Sequence, residues 1–363
     1  MSDYFEIDFL NSEVSRSCDA ISARYRIGDE VSIHVVDGGF QETGKSILSH
    51  IDKYYEAPSF IDRVIVTHPD GDHAGGLRIV LEQLEVGELW MNRPWLYAEE
   101  LIDRFSRFKS VDNLRSRLRE IYPNINELEK IAQKKGVPIY EPFQGSIIGV
   151  FTILAPSKSR YLDLIVESEK TPESAKEESA TQASSFGSLI ESLAEKAVSF
   201  IRSFWGDEAF SDQETSAENE MSVIQYAYIC GKRILLTGDA GRGALSEAAG
   251  YANVANLVLP GIDRFQVPHH GSRRNVSTEL LDIWLGSKLA DKPNEGEELF
   301  TAIISAAKKD DDHPRKAVVR AMIHRGGKVV TTQNGGHRTG FDAPEREGWV
   351  AAAPLEYPEE QED

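Results

Sequence analysis

The sequence predicts a mixed α/β domain of the layered α+β kind. Three observations predict it. Short apolar runs bounded by turn residues fill the first 66 positions. Later runs alternate with helical stretches. No regular strand–helix–strand rhythm connects them.

Residues 7–10, 20–25 and 31–36 are rich in β-branched and aromatic side chains, and Asp37-Gly38-Gly39 stops the third run. A helix is expected over about 44–55. Residues 63–66 form a brief apolar run that ends at Thr67-His68, and Gly75-Gly76 opens a helix near 77–84. Residues 97–135 read as charged helix, and 137–141 and 147–154 as strands. From 167 to 220 the composition shifts to Ser, Ala and Glu, which suits an acidic insertion within one domain spanning 1–363. Inside it, Phe186, Leu189, Ile190, Leu193, Ala197, Phe200, Ile201 and Phe204 follow helical spacing with one apolar face. That face packs on its own domain or serves a protein partner or self-association through 186–204. Strand signals resume at 222–230, 233–237, 257–260, 265–268, 301–305 and 328–332, with a helix over about 314–324. The acidic tail, 354–363, is expected to fray.

At 363 residues with 40% hydrophobic content, the chain can bury a large core. Its formal net charge of -19 gives no overall attraction to nucleic acid or anionic membrane, so polyanion binding would need a local basic surface. Cys18 and Cys230 are the two cysteines, too few for a disulfide framework or a Cys-x-x-Cys metal site. The opening MSDYFEIDF lacks a signal-peptide pattern, and no apolar run reaches the about 18 residues of a membrane span. The expectation is a cytoplasmic protein with no membrane partner.

The chemistry concentrates in Thr67–Gly76, THPDGDHAGG. His68, Asp70, Asp72 and His73 place four metal-ligand side chains at the end of one apolar run. Charges clustered so closely are costly unless a cation compensates them. Further candidates also follow apolar runs: Asp37 after 31–36, Asp239 in RILLTGD, and His269-His270 in QVPHHGS. Asp239 alone reads equally well as a turn residue. The recurrence carries the argument, because strands of one sheet deliver ligands along one rim.

These segments resemble the metallo-β-lactamase superfamily. THPDGDHAGG is similar to its His-x-His/Asp-x-Asp-His motif, and the variant with Asp at the second ligand position looks like the hydrolase domain of ComEC-type competence proteins. FLNSEVSRSCDA resembles the opening LDVGQGDA segment, VVDGG the next strand, and NEMSV followed by LLTGDA the later Asn-x-x-Ser strand and Gly-Asp turn. QVPHHGS resembles a His-His-Gly-Ser motif, DHPRKAVV a late His-Pro segment, and 328–335 the closing strand and turn. The resemblance covers most of the chain outside 97–135 and 167–218. It implies a four-layer αββα sandwich and a stand-alone metal-dependent hydrolase.

Residue by residue, the resemblance implies that His68 and Asp70 hold a first metal. Asp72, His73 and His270 (or His269) hold a second, with Asp239 bridging. Asp72 and His313 are the catalytic candidates, His313 either supporting the metal ligands or contacting the substrate phosphate or leaving group. Asp19 and Asp37 would orient the histidines, with turn formation or capping the alternative. The chain departs from the pattern at Asn11, where the family has Asp, at Cys18, where it has Gly, and at Ala155, where a third histidine belongs. The first site is therefore expected to be weak, water-rich or empty. Oxygen ligands at Asp70, Asp72 and Asp239 shift preference towards Mn²⁺ or Mg²⁺, with Zn²⁺ the alternative.

For the substrate, the resemblance implies a phosphodiester, with DNA the leading expectation and control by a partner. Ser272, Arg273 and Arg274, directly after the histidines, are the substrate-binding candidates. Arg104, Arg107, Lys109, Arg115, Arg117 and Arg119 form a second basic cluster, read as a solvated face paired with Asp103, Asp112 and Glu120. Trp90, Trp95 and Tyr97 could stack bases, but core packing suits them better. Two other readings are hydrolysis of a small ester, lactone or nucleotide, and a weakly active fold used as an assembly subunit.

Overall fold

A computed structural model describes residues 2–12, 14–170 and 200–362. Its layering follows from alternation. In the first strand Phe5, Ile7 and Phe9 enter an apolar cluster between two sheets, while Glu6 and Asp8 face the other way, to Arg24 and Arg346.

The strands, in chain order, are β1 (Tyr4–Phe9), β2 (Ala20–Ile27), β3 (Glu30–Gly38), β4 (Phe60–Ile65), β5 (Glu85–Trp90), β6 (Ile139–Tyr140), β7 (Ile147–Ile148) and β8 (Phe151–Ala155). Then come β9 (Phe200–Arg202), β10 (Ile224–Ile229), β11 (Lys232–Leu236), β12 (Arg264–Gln266), β13 (Phe300–Ile304), β14 (Gly327–Thr331), β15 (His337–Phe341) and β16 (Glu360–Glu362). One seven-stranded sheet runs β15-β1-β2-β3-β4-β5-β6, the other β14-β13-β12-β11-β10-β8-β7. The steps from β3 to β6 and from β11 to β14 are parallel.

The shared core joins Phe5, Ile7, Ile21 and Val36 of the first sheet to Phe151, Ile153, Ile234 and Val330 of the second. Helices Thr43–Tyr54, Leu77–Gln83, Val111–Ile121 and Pro123–Lys135 cover the outer face of the first sheet through Ile47, Leu77, Leu114 and Leu128. Helices Arg242–Tyr251, Thr278–Leu285 and Lys316–His324 cover the second through Leu245, Trp284 and Met322. The order is helix, sheet, sheet, helix. Among the described residues no helix is long and apolar enough to cross a membrane.

Four expectations need correction. Residues 147–154 are not one strand: Gly149, at φ +60°, folds them into the β7–β8 hairpin. Residues 257–260 form no strand, because Asn256 takes φ 57°, Val258 is exposed and Pro260 has no N–H to pair. The amphipathic helix over 186–204 falls largely outside the described residues. Its described end is extended, with Phe200–Arg202 pairing antiparallel with Glu360–Glu362. The tail does not fray at that point. Glu362 accepts from the backbone N–H groups of Lys316 and Ala317 and so caps a helix start, where a carboxylate is favoured.

Candidate metal centre

Strand ends converge on one rim of the sandwich. Asp37 closes β3 at φ 56° and accepts from the Thr67 backbone N–H at 2.8 Å and the Thr67 hydroxyl at 2.5 Å. That turn aims its second carboxylate oxygen at His73 Nδ1, 2.7 Å away. Asp72 and His73 sit on the short helix Gly71–Ala74, which follows β4. The helix can press so close only because of its glycines. A Cβ on Gly76 would lie 2.0 Å from the Gly38 carbonyl oxygen. Across the site, β11 runs into Gly238, at φ +51°, and Asp239, whose N–H donates to Ser222 Oγ. β12 leads to His269 and His270, both at positive φ.

Three imidazoles share one arrangement. His73 Nδ1 faces a carboxylate, which can only accept, so its proton is fixed there. His270 Nδ1 donates to the Ser305 carbonyl at 2.8 Å. Thr67 Oγ1 spends its own proton on Asp37, so at 3.1 Å it accepts from His68 Nδ1. Each ring therefore turns a buried Nε2 inward, and none of the three Nε2 atoms has a hydrogen-bond partner. Asp239 Oδ1 and Asp19 Oδ1 are buried without partners too. Orphaned buried acceptors of this kind are costly. Their donor atoms gather within 4.8 Å of one another in four sets: His68, His73 and Asp239; Asp72, His73 and His270; Asp19, Asp239 and His270; Asp19, Asp37 and His73. The donor set fits a divalent cation, and the Nδ1 partners are the outer contacts that such ligands need.

The electrostatics match. Burial works against a charged imidazole at His73, yet Asp239 and Asp37 outweigh it and raise its pKa well above the ordinary value. Burial would raise the Asp239 carboxyl, but His269, His73 and His270 hold it well below the ordinary range. Burial lowers His68 well below its usual value. Without a cation, His73 and Asp239 pair with each other, Nε2 to Oδ1 at 3.3 Å, and a bound cation would take the place of the Nε2 proton.

The other sequence candidates are distributed around this core. Asp70 stands apart from all four sets. Its Oδ2 is 4.0 Å from His68 Nε2, and its Oδ1 is held by Lys170. His269 places Nε2 3.6 Å from Asp239 Oδ2, while its Nδ1 meets Asn219 and Asn275. His313 lies beside both histidines, its ring centre 5.8 Å from that of His269, with Nδ1 3.3 Å from Asp310. Asp19 accepts from Gln266 at 2.9 Å. Ser272 is buried, and Arg273 and Arg274 are half-buried on the turn that leaves the histidines. Of the second basic cluster, Arg115 pairs with Asp112, Arg117 with Glu120 and Arg104 with Asp163. Trp95 and Tyr97 are buried, and Trp90 packs against Tyr140. Ala155 is fully buried and brings no ligand. A cleft of about 690 Å³ beside Lys45, His50 and Trp349 shares no lining residue with the four sets.

Sequence reasoning missed the supports: Lys170, Gln266, Asn275, Ser305 and Asp310. Asn275 had a signal, since it follows the histidine turn by five residues, and its amide donates to the Asp239 carbonyl at 2.9 Å. Lys170 and Ser305 had none.

Residues 27–146 match the profile of the Metallo-beta-lactamase superfamily. The mixed α/β architecture with two large sheets agrees with that family's sandwich. Among solved structures, the chain is similar to the hydrolase AbOPH of the beta lactamase superfamily, with 12% identity, 68% of this chain and 75% of that one covered, and a TM-score of 0.32. It is also similar to a Thermotoga maritima protein described as a metallo-beta-lactamase, with 10% identity, 65% and 79% covered, and a TM-score of 0.30. No curated protein matches the chain in sequence.

Proposed function

We propose that this chain is a metal-dependent hydrolase that cleaves phosphodiesters, with DNA as its substrate. One observation carries the metal-dependent part: three buried histidines, each with Nδ1 engaged by the protein, turn unpartnered Nε2 atoms towards Asp239. His73, His270, Asp72 and Asp239 would hold a cation, with His68 and Asp70 on the side of a second. When bound, a divalent cation activates water at neutral pH and neutralises charge on phosphoryl oxygens.

The chain's own groups supply the rest. Asp37 holds the His73 tautomer, the Ser305 carbonyl holds His270, and Thr67 with Ser222 holds His68. His313, with Nδ1 against Asp310, has Nε2 left to pass a proton to a leaving oxygen. Arg273 and Arg274 follow the ligand turn directly, where a phosphate backbone would pass. The specific motif at 67–76, with Asp70 in the second ligand position, supports the nucleic-acid reading.

The test is cleavage of plasmid, linear and single-stranded DNA, and of RNA, with Mn²⁺, Mg²⁺ or Zn²⁺. Activity abolished by chelation and by Asp72→Ala is the expected result. Turnover of a small ester with no cleavage of any phosphodiester would replace the nuclease reading.

A further inference from the structure

Lys170 lies 100 positions from Asp70 in sequence, yet its ammonium sits 2.6 Å from Asp70 Oδ1. The contact is built. Helix Lys158–Glu167 ends at Ser168, whose hydroxyl donates to Glu218 Oε1 at 2.5 Å and accepts from the Lys170 backbone N–H at 3.1 Å. Tyr122 donates to the same Glu218 carboxylate. The chain is thus fixed two residues before the lysine, and the side chain reaches into an acidic corner made by Asp70, Asp72 and Glu218.

That corner adjoins His68, whose Nε2 lies 4.0 Å from Asp70 Oδ2. His68 and Asp70 are the ligand candidates on this side, and Asp70 belongs to none of the four sets of converging donors. An ammonium and a divalent cation compete for the same carboxylate. Placing both against Asp70 would set like charges at close range at the partly exposed rim of the centre.

We propose that the Lys170 ammonium is a built-in substitute for the first cation. It neutralises Asp70, so the centre takes one divalent ion, on the His73, Asp239 and His270 side, instead of two. The inference rests on the metal-centre reading above and narrows it. Lys170 is then a positioning residue that sets metal stoichiometry and leaves a fixed positive charge where a second ion would stand.

The experiment is metal counting on the full chain. Wild type, Lys170→Ala, Lys170→Gln and the double variant Lys170→Ala/Asp70→Asn are equilibrated with Mn²⁺. Metal is measured by elemental analysis and by the electron paramagnetic resonance of bound Mn²⁺. The expected result is one ion in wild type with an uncoupled signal. Both single variants should hold two ions with a spin-coupled signal, and the double variant should return to one. Two ions in wild type, or one ion in both folded single variants, overturns the proposal while leaving the metal centre standing. No ion in any of the four proteins overturns the metal-centre reading itself.

Discussion

Asp37 and His73, 36 positions apart, meet at 2.7 Å, Oδ2 to Nδ1, and both are buried. Asp37 reaches this position only by closing β3 in the left-handed region, where Thr67 grips its other oxygen. The pair fixes which nitrogen of His73 faces the candidate cation. Asp37→Asn preserves size but removes the charge that holds the Nδ1 proton. The expected outcome is a loss of metal affinity of about 10- to 100-fold, with the fold retained. Calorimetric titration with Mn²⁺ or Zn²⁺ checks it. Wild-type affinity in a folded variant would mean that Asp37 serves only the turn.

His269 and His270 separate by the same logic. His270 has Nδ1 committed to a carbonyl and Nε2 buried and orphaned, whereas His269 is partly exposed and shares Nδ1 with two asparagines. His270→Ala should lose most of the bound metal. His269→Ala should keep more of it, because the His269 side chain is partly exposed and stands 3.6 Å from Asp239. Equal metal loss in the two variants would remove the assignment.

Much of this rim was legible in the sequence because strand ends are legible. Apolar runs that stop at Asp37, His68, Asp239 and His269 announce both the sheet and what its edge carries. The supports were not legible, because their partners are remote. Lys170 finds Asp70, Gln266 finds Asp19 across 247 positions, and Ser305 offers only a carbonyl. Composition misled at the tail. Residues 354–363 look solvated, but Glu362 caps a helix and Gln361 is buried, accepting from the Ala209 N–H. The reading of a helix through Phe204 failed for a related reason. Helical spacing cannot register a strand partner more than 150 residues away.

The glycine pair after the ligand motif sets a steric limit. A Cβ on Gly76 would lie 2.0 Å from Gly38 O and 2.8 Å from Gly44 N, all backbone, so nothing yields by rotating a side chain. Gly76→Ala should cost about 3 kcal/mol or more, by forcing the motif helix away from β3. Gly136 is the control. It takes φ +71° with open space around it, so Gly136→Ala should cost only about 1–2 kcal/mol of backbone strain. Urea denaturation of both variants checks the contrast. Similar losses at the two sites would show that the close approach relaxes easily.

The segment that returns from the insertion is held by Glu208, and this makes stability depend on pH. The side chain is 1% exposed. It accepts from Thr278 Oγ1 at 2.6 Å, Arg325 Nη1 at 2.6 Å and His324 Nδ1 at 3.0 Å, and Lys288 stands 3.3 Å away. Burial alone would raise its pKa, but the hydrogen bonds from His324, Arg325 and Thr278 bring it down to about 2 from the ordinary 4.5. The folded carboxylate thus binds a proton less readily than the unfolded one. Its stabilisation is present in full above about pH 4.5 and is lost as pH falls towards about 2. A shift of that size corresponds to roughly 3 kcal/mol. Glu208→Gln leaves the buried Arg325 with Asp282 as its remaining carboxylate partner, so a loss of about 3 kcal/mol is expected at neutral pH. Unfolding free energies of wild type and variant, measured from pH 7 to pH 2, should converge as the wild-type carboxylate protonates. A gap that stays constant down to pH 2 would show that Glu208 contributes through packing and not through its charge.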